Sequence, residues 1–175
     1  MSLKSIAAIF FLVFSGLVTA GALEEGEKAR EKKDYTTAAK WFHQASEQGD
    51  AKAQMYLSGL YSEGRGVPVN DAEAMRWAHR SAEQGYAPGE FFLGMMYDMG
   101  LSTEKNPEEA ARWLLKAAEH GHEPAQYAIG IKYATGHGVE QNNAEATRWL
   151  SKAEKNGYKA ARIFIEQLPK STPSK

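Results

Sequence analysis

The chain has 175 residues, a quarter of them charged, with 21 basic against 22 acidic side chains and a formal net charge of −1. So even a balance offers no electrostatic footprint for DNA or RNA, and a nucleic-acid partner is set aside. With no cysteine there is no disulfide framework, and stability must come from packing.

Residues 1–20 read as a secretory signal peptide. Lys4 precedes an apolar run from Ile6 to Val18, and small residues follow at Thr19, Ala20, Gly21 and Ala22. A run of this length falls short of the roughly 20 residues that cross a bilayer, so cleavage after Ala20 or Ala22 is expected. A periplasmic or secreted location follows, and no later stretch is apolar enough to span a membrane. No cysteine follows the run to carry a lipid.

Beyond the leader the sequence repeats. Trp41, Trp77, Trp113 and Trp149 step by 36 residues, as do Gly49, Gly85, Gly121 and Gly157. A fixed period of this size marks a solenoid, in which each unit buries its apolar face against its neighbours. The expected array runs over residues 23–168 as one solenoid: a shortened unit at 23–49, full units at 50–85, 86–121 and 122–157, and a terminal helix at 158–168. Residues 169–175 are expected to form a flexible tail. Acidic and basic residues from Glu24 to Lys33 suit the first helix to a polar cap.

In each full unit the first helix carries a small-residue and apolar stripe, Ala53, Leu57, Ser58 and Tyr61 and their equivalents Leu93, Gly94 and Tyr97 or Ile129, Gly130 and Tyr133. Gly64, Gly100 and Gly136 are expected to close it in the left-handed conformation. The second helix starts at Asn70, Asn106 and Asn142. Glu73, Glu109 and Glu145 stand three residues later, which predicts a reciprocal capping box. Trp77, Trp113 and Trp149 are then packing residues, and Arg80, Lys116 and Lys152 complement the dipole in the last turn.

These residues resemble the Sel1-like repeat, a relative of the tetratricopeptide repeat. The likeness rests on Ala53, Leu57-Ser58, Tyr61, Gly64 and Gly66-Val67, then Ala74, Trp77, Ser81-Ala82 and Gly85, and again on Ile129-Gly130, Gly136-His137-Gly138-Val139 and Trp149. The middle unit departs, because Leu101-Ser102-Thr103 replaces the second loop glycine and valine, and a different bend is expected there. The resemblance implies an all-α, right-handed α-solenoid of antiparallel helix pairs, its first helices on the concave side. It also implies an adaptor or regulator. Exported bacterial members include repressors of envelope sensor kinases and immunity proteins that block a toxic effector.

No nucleophile elbow, phosphate loop or His-Glu-x-x-His motif appears, and no enzymatic activity, cofactor or metal is expected. His120 and His122 flank Gly121 without a carboxylate or cysteine at ligand spacing. The alternatives are a hydrolase acting on cell-wall or β-lactam substrates and a scaffold of an envelope complex. The leading reading is a monomeric, non-enzymatic module that binds a protein partner, either an effector toxin or an envelope sensor. Its candidate surface is the variable face of the first helices: Tyr56, then Phe91, Phe92, Met95 and Met99, then Tyr127 and Ile131. The stretch from Phe91 to Met99 is apolar nearly all round, which fits either a groove or a core.

Overall fold

A computed structural model describes residues 21–169; the signal-peptide reading and most of the C-terminal tail lie outside them. Among the described residues there are helices and no strand: α1 (21–31), α2 (Tyr35–Glu47), α3 (Ala51–Glu63), α4 (Asp71–Glu83), α5 (Ala87–Met99), α6 (Pro107–Glu119), α7 (Glu123–Thr135), α8 (Asn143–Lys155) and α9 (Ala160–Gln167). The starts of α3, α5 and α7 step by 36, as do those of α4, α6 and α8. The protein is an all-α solenoid of helix pairs.

Two compact units divide between Ser81 and Ala82. In the first, alanines of α1, α2 and α3 bring the backbones close around Phe42, Leu57 and Trp77, all essentially without exposure. In the second, Leu114, Ile129 and Trp149 form the centre, and Leu150, Ala153 and Ala161 seat α9. Trp41, by contrast, is only half-buried.

The caps hold the joints. Asn70, Asn106 and Asn142 each accept a hydrogen bond from the backbone N–H three residues on, at 3.0–3.1 Å. The returning half of the expected capping box is absent. Glu73, Glu109 and Glu145 instead turn to Arg76, Arg112 and Arg148, one turn further along, at 2.5, 2.7 and 2.6 Å. The Arg76 guanidinium holds the Glu73 carboxyl below the usual carboxylate range. A charge-assisted bond wins because the asparagine N–H is already taken. It donates to the carbonyl of Tyr61, Tyr97 or Tyr133, an acceptor stranded at the end of the preceding helix.

Gly64, Gly100 and Gly136 are left-handed caps, as expected. The second loop glycines, Gly66 and Gly138, have φ of +71° and +75°, and a Cβ on either would run into the backbone of Tyr35 or Pro107. In the middle unit Ser102 takes that place with φ 57°. The expectation of a different bend is therefore corrected at this residue: the turn demands the left-handed region, and serine adopts it at a cost of about 1 kcal/mol.

Candidate functional site

The second unit contains a groove of about 410 Å³ bordered by the successive first helices α5 and α7. Met95 lines one side, Tyr127, Ala128 and Ile131 the other, and Leu114 of α6 lies at the base. The floor is fixed, since Leu114 has no exposure, whereas Met95, Tyr127 and Ile131 remain half-buried. Helix periodicity explains the split. Leu93 and Met96 of α5 take the fully buried stripe, which leaves Met95 a hundred degrees away on the helix.

The polar groups of the groove gather at one place. Lys132 Nζ donates to Asp98 Oδ1 at 2.5 Å, and His137 Nε2 stands 3.6 Å from the same oxygen. The Lys132 side chain is 6% exposed and that of Asp98 28%. Thr135 donates its hydroxyl to the Ile131 carbonyl of its own helix at 3.0 Å. Sequence reading missed these groups. The signal was in the repeat column: Lys132 stands where the other units have Leu60 and Met96, both buried.

The seven residues expected at the partner surface do not form one patch. Met95, Tyr127 and Ile131 come together in the groove. Tyr127 also stacks on Tyr158, with ring centroids 4.7 Å apart. Phe91 stacks on His122 at the same distance and packs against the core around Ile129. Phe92 is half-buried and Met99 is 47% exposed, neither of them lining the groove. Tyr56 lies in the first unit, where its ring tilts over Phe42 at 4.9 Å, its hydroxyl donates to Glu27 at 3.3 Å, and Arg30 covers it at 4.7 Å.

The histidines at the turn have partners of other kinds. His120 Nδ1 meets the buried carboxylate of Glu90 at 2.7 Å. Burial holds His122 below the usual imidazole range, and its Nδ1 is enclosed without a hydrogen-bond partner among the described residues. Among the described residues no group of three or more His, Asp or Glu side chains is arranged to hold a metal ion. The late cations of the second helices do more than complement a dipole. Arg80, Lys116 and Lys152 lie over the indoles of Trp77, Trp113 and Trp149, at 5.0, 4.0 and 4.4 Å from the ring centroids.

Comparison with known proteins fits this architecture. The family model for the Sel1 repeat matches residues 20–50, 51–86, 87–122 and 123–158. A Sel1 repeat protein from Oxalobacter formigenes is 33% identical over 74% of this chain and 52% of its own, with a TM-score of 0.66. A protective antigen present in uropathogenic Escherichia coli strains is 29% identical over 88% of this chain and 33% of its own, with a TM-score of 0.77. The chain thus spans about half of the first and a third of the second. The Helicobacter pylori cysteine rich protein B, at 24% identity over 76% of this chain and 96% of its own and a TM-score of 0.60, shares the fold. No curated protein matched.

Proposed function

Because this chain belongs to the Sel1 repeat family, we propose that it is an exported, non-enzymatic module that grips a cognate protein in the groove bordered by α5 and α7. Sel1 repeats in general mediate protein–protein contact. The observation that carries the reading is the cluster of Met95, Tyr127 and Ile131, half-buried around one opening over a rigid Leu114. Such side chains complete their burial when a partner covers them, and adaptable Met and aromatic anchors are common among interface hot spots. With Thr135 bonded to its own helix and no serine or cysteine in the lining, the groove is better suited to binding than to acyl chemistry.

Two forms of the partner fit an exported module: a toxic effector whose active site is occluded by an immunity protein, and an envelope sensor held by a regulator. Among the described residues no helix is long and apolar enough to cross a membrane. Cross-linked affinity capture from the periplasm tests the reading, with the full chain run beside Ile131→Asp. A protein recovered by the former and lost with the latter is expected. Equal recovery of every captured protein by both would remove the groove from the interaction.

A further inference from the structure

Three positions depart from the repeat at one place. Asp98 stands where the other full units have Ser62 and Ala134, Lys132 where they have Leu60 and Met96, and His137 where they have Arg65 and Leu101. The fold brings all three to one wall of the groove and joins α5 to α7 through the bond from Lys132 to Asp98. Removing two charges from water is costly, and apolar residues of similar size in place of a buried ion pair are often neutral or stabilising. The first full unit does without the pair. The pair is therefore weak evidence for stability, and its place in the groove suits it to recognition.

Resting on the groove reading above, we propose that Asp98 selects the partner, and that the groove takes a protein segment in which an aliphatic or aromatic side chain is flanked by a lysine or arginine. The apolar residue enters between Met95 and Ile131 over Leu114. The basic residue reaches Asp98 Oδ2, which has no hydrogen-bond partner among the described residues because Lys132 and His137 both face Oδ1. A carboxylate oxygen at the edge of a groove lined by Met95, Tyr127 and Ile131 gains most from a charged donor, since the lowered dielectric strengthens the bond. An acidic residue would meet Oδ2 with no proton to share, and a wholly apolar segment would leave Oδ2 desolvated and unpaired. Lys132, the more buried of the two, holds the carboxylate in place through Oδ1.

The test uses a phage-displayed library of random dodecapeptides panned on the full chain, with the selected peptides synthesised and titrated calorimetrically. Peptides whose binding is lost on Ile131→Asp are expected to carry Lys or Arg within two positions of a large apolar residue. Replacing that base by Gln should weaken binding to the wild-type chain about tenfold, the usual scale of a charge-assisted bond. It should have little effect on the Asp98→Ser/Lys132→Leu double variant, which restores the residues of the first full unit; circular dichroism checks its fold, and Asp98→Asn serves if it does not fold. Groove-dependent peptides that lack a base, or a base whose loss weakens binding to wild type and variant alike, would overturn the selection by Asp98 and leave the groove standing. Failure to recover any peptide sensitive to Ile131→Asp would overturn both.

Discussion

His122 and Tyr158 occupy one register position, each ring tilted 35° over an aromatic side chain of a first helix at 4.7 Å. Desolvation disfavours the imidazolium, so the pKa of His122 is lowered in the folded protein, and Glu123 offsets this only in part. The unfolded chain then binds the proton more readily. Stability is undiminished above the ordinary imidazole value of about 6.5 and falls as the pH drops from there toward the lowered folded value. His122→Tyr, which installs the residue found at positions 86 and 158, removes this titration and keeps a stack on Phe91. Thermal melts from pH 7.5 to 5 should show the wild type losing more stability than the variant; parallel losses would exclude His122 as the cause.

At the scale of the helix pair, the joint depends on how closely a first helix lies on its second. A Cβ at Gly130 would stand 2.7 Å from Leu150 Cγ, and one at Gly94 2.9 Å from Leu114 Cγ. Ser58 fills the same place in the first full unit by donating its hydroxyl to the Ala74 carbonyl at 2.6 Å. Gly130→Leu should therefore cost about 2 kcal/mol or more by overpacking, measured by urea unfolding. Within α5 the stripes separate. Leu93 has no exposure, and Leu93→Ala should cost about 2 to 5 kcal/mol, whereas Met99→Ala at a 47% exposed site should stay within about 0.5 kcal/mol. Equal destabilisation by the two would show that the outer face of α5 is core.

For the whole molecule, the expected export rests on residues 1–20, and the core favours one of the two cleavage points. Ala22 is 3% exposed in the cluster around Phe42, so cleavage after Ala20 preserves a packed residue that cleavage after Ala22 would remove. N-terminal sequencing of the exported protein should begin at Gly21; a start at Met1 would exclude processing, and a start at Leu23 would put Ala22 outside the mature core. The groove reading is likewise a property of the assembled array. It needs α5 and α7 side by side, and neither helix forms it alone.

The period, the helix boundaries, the asparagine caps and the buried tryptophans of the full units were legible in the sequence, because each depends on spacing within one unit that the next unit repeats. Trp77 and Trp149 recur with the same burial for that reason. What the glutamates after the caps do was not legible: Glu73, Glu109 and Glu145 had two partners within reach, and the choice of Arg over the cap N–H followed from a tyrosine carbonyl that only the folded loop brings to that N–H. The same holds for the groove. Met95 and Met96 are neighbours in sequence and indistinguishable by composition, yet one is enclosed and the other lines an opening. Local periodicity determines an element and its own stripe, while the meeting of Asp98 with Lys132, 34 residues apart, is decided by how successive repeats pack.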